Sequence, residues 1–211
     1  MSAHGRCIIV SAGDAPAKIL PEKRGGDLLV AVDAGYRVLT EAGLAPDVFV
    51  GDGDSLGFIP TEGDVTVLPK IKDDTDTVAA VKLALARGYR RIELYGALGG
   101  RRLSHSVSNI QTLLYIDAHG AEGVIVDEAC TCRILSAGRA PDFSVGQRGG
   151  YLSLFAVGGD AVVSVRGAKY EVEREVLSPA FPLGVSNEPE EGCRITVHSG
   201  RVLLVLEPGN E

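Results

Sequence analysis

Short aliphatic segments alternate with helical segments along the first two-thirds of the chain. Each aliphatic segment is rich in Val and Ile and is bounded by Gly, Asp or Pro, which is typical of strands buried on both faces. Alternation of this kind predicts an α/β fold with a doubly wound, mainly parallel sheet, whose ligands bind at the carboxyl ends of the strands. The predicted strands are 7–11, 28–32, 48–50, 65–68, 92–95 and 123–126.

Helical periodicity occupies the intervals between these strands. In the interval 75–87, Val78, Val81 and Leu85 recur three and four residues apart and Gly88 follows as a stop signal. The same pattern predicts helices over about 34–43 and 105–118.

The pattern changes near residue 137, where helical periodicity ends and strand signals take over. Ser199-Gly200 predicts a tight hairpin between the last two strands. We therefore expect an α/β domain over 1–137 and a small antiparallel β domain over 138–211. The strands predicted in the second domain are 151–156, 161–165, 194–198 and 202–206.

Composition excludes several classes of protein. The chain has 211 residues, of which 45% are hydrophobic and 23% charged, so it is not a disordered tail, a collagen or a coiled coil. A net charge of −7 without a basic run argues against nucleic-acid binding, and no apolar run reaches membrane-spanning length. Four cysteines are too few for a disulfide framework, so we expect a cytoplasmic location and no membrane association.

Almost all of the excess negative charge lies in residues 47–76, which carry eight acidic residues against two lysines. Asp52 and Asp54 follow the third predicted strand, and Asp73 and Asp76 stand at the start of a predicted helix. Carboxylates at these places are suited to Mg²⁺ held against phosphates. Taken alone, the first loop is more typical of a solvated turn, and the second is equally typical of helix capping. Taken together, the two segments favour a shared metal site.

A glycine-rich turn links the strand at 92–95 to the following helix. Gly99 and Gly100 expose backbone N–H groups at a helix N-terminus, and Arg101 and Arg102 add positive charge. An acidic site opposite such a loop suits Mg²⁺ with a polyphosphate.

The sequence contains one closely spaced pair of cysteines, Cys130-x-Cys132. A structural zinc site needs a second pair of ligands, which this motif lacks, so no zinc site of that kind is expected.

Taken together, the ordered motifs resemble the thiamine pyrophosphokinase family over nearly the whole chain. Several in the right order are more specific than any one of them. The matching segments are Val32-Asp33-Ala34-Gly35, Pro46-Asp47, Gly51-Asp52-Gly53-Asp54-Ser55, Lys72-Asp73-Asp74-Thr75-Asp76, Arg102-Leu103-Ser104-His105 with Asn109, Gly167 to Tyr170, and Gly184-Val185-Ser186-Asn187-Glu188.

The resemblance implies transfer of pyrophosphate from ATP to the thiamine hydroxyl, giving thiamine diphosphate and AMP. It also implies that 1–137 is the catalytic domain, which binds ATP and Mg²⁺, and that 138–211 is a β-sandwich domain, which binds thiamine. A homodimer whose thiamine pocket lies between subunits is implied as well. The expected Mg²⁺ ligands are Asp52, Asp54 and Asp76, with Asp73 and Arg102 completing the catalytic set. The expected ATP- and thiamine-binding residues are Asp33, Gly35, Ser55, Thr75, Gly99, Gly100, Ser104, His105, Asn109, Ser186 and Asn187.

Two departures from the family pattern keep alternatives open. Ser104 stands where the family has Asp; it can cap the helix but supplies no anionic group. The chain also has no Trp to stack on thiamine, which leaves Tyr170 or Phe181 for that role. The alternatives are a pyrophosphokinase for another alcohol, such as a hydroxymethylpterin, and a nucleotide- or thiamine-binding protein impaired in catalysis.

Overall fold

The chain forms two compact units, Met1–Glu128 and Ala129–Glu211, in a computed structural model. The structure describes residues 5–11, 13, 19–61, 64–67, 74–100, 102–139 and 141–209. The domain division predicted at residues 137 and 138 stays a prediction. None of the described helices is both long and apolar enough to cross a membrane.

The first unit contains six parallel strands in the order β6-β5-β1-β2-β3-β4. All six predicted strands are present, which confirms the mainly parallel sheet. The central strands read as near-continuous aliphatic runs because both of their faces are buried. The strands are β1 Cys7–Val10, β2 Leu28–Val32, β3 Val48–Gly51, β4 Asp64–Val67, β5 Arg91–Tyr95 and β6 Glu122–Val126.

Helices cover both faces of this sheet. Leu39 of α1 (Gly35–Glu41) packs with Ile8, Val10 and Leu29 on one face. The helices α2 (Asp76–Ala86) and α3 (Leu103–Ala118) pack on each other, and α2 also packs on β1, β2 and β3. Gly123 of β6 faces Leu113 and Ile116 of α3. Through Ile92, Gly123 is in register with Cys7 of β1, whose side chain points to the opposite face from Ile8, so α3 and α1 lie on opposite faces of the sheet. The sheet is therefore doubly wound, as predicted.

The second unit is a sandwich of two antiparallel sheets, ordered β12-β9-β14-β7 and β11-β10-β13-β8. Inward-facing side chains such as Leu152, Val163, Ile195 and Leu204 form its core. The predicted β-sandwich is thus confirmed. Its strands are β7 Thr131–Ser136, β8 Asp142–Ser144, β9 Tyr151–Ala156, β10 Ala161–Ala168, β11 Val172–Leu177, β12 Gly184–Asn187, β13 Pro189–Ser199 and β14 Arg201–Glu207.

The hairpin predicted at Ser199-Gly200 is wrong. β13 pairs with β10 and β8, whereas β14 pairs with β7 and β9, so the turn carries the chain from one sheet to the other. Gly200 has a positive φ of 74° and lies against the backbone of Asp160, which explains the glycine. A tight turn between two strands has the same local signature whether the strands pair or lie in facing sheets.

Candidate active site

A cavity of about 330 Å³ lies at the carboxyl edge of the parallel sheet. Loops that follow β1, β2, β3 and β5 form its walls together with the first turns of α2 and α3, as expected for an open α/β sheet. Its lining residues are Ser11, Gly13, Val32, Asp33, Ser55, Thr75, Asp76, Thr77, Gly96, Ala97, Leu98, Gly99, Gly100, Arg102, His105, Ser108 and Asn109.

Asp33 is held at the end of β2 by a strained backbone. Its φ is 47°, which is uncommon for a residue other than glycine, and its N–H donates to the Val50 carbonyl oxygen at 3.1 Å. A Cβ on Gly51 would collide with the Asp33 carboxylate, and one on Gly35 would collide with the Val10 carbonyl oxygen. Gly51 therefore lets the end of β3 approach the Asp33 side chain, and Gly35 lets the start of α1 approach the end of β1, with Asp33 on the cavity wall.

The N-terminus of α2 supplies the second carboxylate of the cavity. Thr75 is the N-cap residue, and its Oγ1 accepts a 3.2 Å hydrogen bond from the Val78 N–H. This leaves Asp76, in the first turn, on the cavity lining. Thr77 Oγ1 lies 3.4 Å from Ser11 Oγ, and both hydroxyl groups are buried, which ties the helix start to the end of β1.

The glycine-rich turn lies opposite, between β5 and α3. Asn109 is buried in α3, and its Nδ2 donates a 2.7 Å hydrogen bond to the Ala97 carbonyl oxygen. Gly13 N donates to the Gly96 carbonyl oxygen at 2.9 Å. The turn is therefore fixed from two sides, with Gly99 and Gly100 on the cavity wall.

Helix α3 begins at the cavity without a side-chain cap. Its N-cap residue is Arg102, whose side chain makes no capping hydrogen bond. The prediction that Ser104 caps this helix is wrong, because Ser104 lies inside the first turn. Ser104 is exposed and is not among the lining residues, whereas His105 is. The N-termini of α2 and α3 both border the cavity, and each favours a negatively charged ligand.

The loop after β3 folds on its own side chains. Asp52 Oδ1 accepts a 3.0 Å hydrogen bond from the Asp54 N–H, and the Gly53 carbonyl oxygen accepts from the N–H groups of Leu56 and Gly57. Ser55 reaches the cavity wall, whereas Asp52 and Asp54 are not among the lining residues. Asp73 lies outside the described residues. Within the described part of the chain, no three His, Cys, Asp or Glu side chains form a group that could hold a metal ion.

The acidic residues of the stretch 47–76 that the structure describes lie at both edges of the sheet. Asp47 precedes β3 at the amino edge, where its Oδ2 accepts a 2.8 Å hydrogen bond from the Leu29 N–H. Asp64 pairs with Arg87 at the end of α2, and Asp74 pairs with Lys82 at 2.6 Å. Three of the eight acidic residues, Asp47, Asp64 and Asp74, therefore make structural contacts away from the cavity.

In the second unit, Asn187 acts as a backbone clamp. Its Oδ1 accepts from the N–H groups of Tyr170 and Glu188, and its Nδ2 donates to the Tyr170 carbonyl oxygen at 2.8 Å. Ser186 has a positive φ of 59°, and its N–H donates to Ser153 Oγ. Tyr170 and Asn187 border a largely apolar cavity of about 370 Å³ between the two sheets.

Two family models match this sequence. The model for the thiamin pyrophosphokinase catalytic domain matches residues 23–126, and that for the thiamin pyrophosphokinase vitamin B1 binding domain matches residues 142–203. The chain belongs to the thiamin pyrophosphokinase family. No curated protein sequence matches the chain.

Solved structures of thiamin pyrophosphokinases are similar to this family member over nearly its full length. The Bacillus subtilis enzyme is 22% identical with a TM-score of 0.82, and the alignment covers 98% of this chain and 100% of that one. The Geobacillus thermodenitrificans enzyme is 26% identical with a TM-score of 0.80, covering 98% and 99%. The Candida albicans enzyme is 14% identical with a TM-score of 0.74, covering 97% and 90%.

Several residues line this cavity in the thiamin pyrophosphokinase fold although no sequence motif predicted them. Ser11, Gly13, Thr77 and Ser108 line it but were not predicted as site residues. Ser11 follows the carboxyl end of β1, so the rule that ligands bind at strand ends could have identified it. The contact between Ser11 and Thr77 joins residues 66 positions apart, and no local pattern signals it.

Proposed function

We propose that this chain transfers a pyrophosphoryl group from ATP to the hydroxyl group of thiamine, giving thiamine diphosphate and AMP. The observation that carries the proposal is the 330 Å³ cavity, in a chain that matches both domains of the family. Two carboxylates, several hydroxyl groups, an arginine and two helix N-termini meet there. This combination suits a polyphosphate better than a neutral ligand.

The phosphates would bind on the glycine-turn side of the cavity. Gly99, Gly100 and the uncapped start of α3 offer backbone N–H groups, and Arg102 adds a guanidinium group. Asn109 holds the turn from beneath through the Ala97 carbonyl oxygen. These donors are fixed before the ligand arrives, so little reorganisation is needed when charge develops on the transferring group.

The remaining donors fit Mg²⁺. Asp33 and Asp76 line the cavity beside the hydroxyl groups of Ser11, Ser55 and Thr75. Mg²⁺ prefers oxygen ligands and commonly uses one or two carboxylates, several waters and substrate phosphates, so a group of three carboxylates is not required. We propose that Asp76 would hold the ion directly, and that Asp52 and Asp54 of the loop after β3, which do not line the cavity, would reach it through bound water. When bound, Mg²⁺ neutralises charge on the phosphates.

In the proposed reaction the thiamine hydroxyl oxygen attacks the β-phosphorus of ATP. A new oxygen–phosphorus bond forms, and the bond from the β-phosphorus to the oxygen of the α-phosphate breaks, so that AMP leaves. Arg102 stabilises negative charge on the transferring group, and one aspartate of the predicted catalytic set, which includes Asp73, accepts the alcohol proton. Positioning and electrostatic stabilisation supply most of the rate in reactions of this kind.

Thiamine recognition is proposed for the second unit. Asn187 lines the 370 Å³ cavity and Ser186 precedes it in the chain, while the exposed side chain of Tyr170 borders the same cavity. Tyr170 and Phe181 are the aromatic candidates for stacking. Because Asn187 already binds Tyr170 and Glu188, we propose that it shapes the site through its clamp rather than through several bonds to the pyrimidine.

We also propose a homodimer with the thiamine pocket between subunits and a cytoplasmic location. Exposed apolar side chains of the second unit, among them Phe181, Leu183 and Val185, support a contact surface. The four cysteines are thiols, which agrees with a reducing compartment. Light scattering coupled to size exclusion tests the dimer; a monomeric mass at assay concentration contradicts it.

The decisive experiment incubates the purified protein with ATP, Mg²⁺ and thiamine and separates the products by chromatography. Equal amounts of thiamine diphosphate and AMP support the proposal, whereas ADP as the sole nucleotide product contradicts it. A hydroxymethylpterin replaces thiamine in a parallel reaction and should release little AMP. Ser104→Asp is assayed beside the unaltered chain; if turnover appears only in that variant, the natural chain is a binding protein.

A further inference from the structure

Cys130 and Cys132 form a close thiol pair that the proposed reaction does not use. Their Sγ atoms lie 3.8 Å apart, and both residues are thiols. Cys132 is 2% exposed, whereas Cys130 is partly exposed and gives the pair access to solvent. Neither residue belongs to the core of the β-sandwich.

The pair sits on a firmly held strand. Cys132 is the second residue of β7 and lies opposite Val205 of β14. Leu135, three residues further along β7, belongs to the core between the sheets, so Cys132 lies on the outer face. Cys130 precedes the strand by one residue and shares that face. The pairing of β7 with β14 therefore fixes the backbone of Cys132, the less exposed of the two cysteines.

We propose that Cys130 and Cys132 form a two-sulfur binding site for a thiophilic divalent cation of the Cd²⁺ or Zn²⁺ type. Two sulfurs each bonded at about 2.3 Å to one tetrahedral ion lie about 3.8 Å apart. The observed Sγ–Sγ distance of 3.8 Å matches this spacing. The sulfurs are thus already positioned to bind one ion together.

The distance between the two sulfurs favours an ion bound by two protein ligands over a disulfide bond and over a structural zinc site with four protein ligands. A disulfide requires the sulfurs to approach to about 2.05 Å, which the present side-chain positions do not provide. A structural zinc site requires four protein ligands. In the described residues no group of three or more candidate ligands occurs, so water or a small thiol completes the coordination here. The bound ion is therefore exchangeable.

The chemistry of the pair separates this site from the Mg²⁺ proposed at the phosphates. Thiolates select soft and borderline ions, whereas carboxylates and hydroxyl groups select hard ones. The other two cysteines, Cys7 and Cys193, have no second cysteine within two residues to complete a pair. Burial raises the pKa of Cys7 to about 12 and also raises that of Cys193. Both remain protonated near neutral pH.

The test titrates the reduced, purified full-length protein with Cd²⁺ in the presence of excess Mg²⁺. The ultraviolet charge-transfer absorption of Cd²⁺–thiolate bonds reports binding, and calorimetry gives the stoichiometry. We expect one Cd²⁺ per chain, displacement by Zn²⁺, and affinity that rises with pH because thiol protons are released. Cys130→Ser and Cys132→Ser should each weaken binding at least about tenfold, since each removes one of two ligands. Cys193→Ser, the matched control, should leave binding unchanged.

A second measurement needs no variant. The unaltered protein is treated with a thiol-alkylating reagent with and without Cd²⁺, and the modified peptides are quantified by mass spectrometry. Protection of Cys130 by Cd²⁺ supports the site. Absence of both protection and charge-transfer absorption overturns it, as does a signal that survives in the double variant Cys130→Ser, Cys132→Ser. Circular dichroism confirms that each variant is folded.

Discussion

The side-chain amide of Asn109 donates a 2.7 Å hydrogen bond to the backbone carbonyl oxygen of Ala97. Both residues are buried, and the bond fastens the glycine-rich turn to helix α3. Asn109 therefore acts on the proposed phosphate site by holding the turn, although it also lines the cavity.

Replacing Asn109 by Ala should loosen the turn and impair ATP binding. The substitution leaves the Ala97 carbonyl oxygen without its donor, which costs about 1–3 kcal/mol of unfolding free energy. Displacement of the turn should raise KM for ATP by about tenfold or more. Steady-state kinetics and urea unfolding test both effects. Gln111→Ala, on the exposed side of the same helix, should change neither KM nor stability. An unaltered KM for ATP in Asn109→Ala would show that the turn keeps its position without this hydrogen bond.

Asp76 and Asp74 differ by two positions and should differ sharply in function. Asp76 lines the cavity, whereas Asp74 forms an exposed ion pair with Lys82. Asp76→Asn should lower kcat by about a hundredfold or more and weaken the Mg²⁺ dependence of turnover. Asp74→Asn should retain activity within about twofold, because exposed ion pairs contribute little. Equal activities of the two variants would contradict the assignment of Asp76.

Asn187 should affect thiamine and ATP differently. Asn187→Ala removes three hydrogen bonds that hold Tyr170 and Glu188, so KM for thiamine should rise while KM for ATP stays constant. Asn187→Asp keeps the acceptor but loses the bond to the Tyr170 carbonyl oxygen, and should have an intermediate effect. Glu190→Gln is an exposed control. A parallel rise in both KM values would indicate general loss of structure instead.

Asp27 should make stability depend on pH in the acidic range. Burial alone would raise the pKa of Asp27, but hydrogen bonds from Arg6 and Arg24 outweigh it, so this pKa is lowered. A lowered folded-state pKa contributes stability above the unfolded-state value of about 4, which is lost as pH falls through the folded value.

The expected loss can be measured by urea unfolding at a series of pH values. Asp27→Asn should destabilise the protein by about 2 kcal/mol at neutral pH and should flatten the dependence below about pH 5. Asp64→Asn removes the exposed pair with Arg87 and should cost less than about 1 kcal/mol. An unchanged pH profile in Asp27→Asn would assign the acid sensitivity to other carboxylates.

The parallel sheet could be predicted from the sequence because its strands are buried on both faces. A strand such as Leu28–Val32 is then an uninterrupted aliphatic run. β11, Val172–Leu177, escaped prediction because most of its side chains are exposed and its sequence carries two Glu and one Arg. Its partner β10 fixes it through backbone hydrogen bonds, which leave no hydrophobic pattern.

The candidate site was predictable in its loops but not in its contacts. The rule for strand ends brought Asp33, Asp76 and Arg102 to one cavity. The count of acidic residues, by contrast, does not distinguish Asp47 at the amino edge from Asp76 at the carboxyl edge. The clamp between Asn187 and Tyr170 spans 17 positions and depends on where the sandwich folds the chain back.

The walls of the 330 Å³ cavity consist largely of loops and first helical turns beyond the strand ends, while the aliphatic interior of the sheet lies below them. Changes in loop length or in the chemistry of these walls should therefore carry little penalty to folding. Differences in substrate preference among relatives should accordingly be traceable to insertions and substitutions in these loops, while the sheet beneath them keeps its structure.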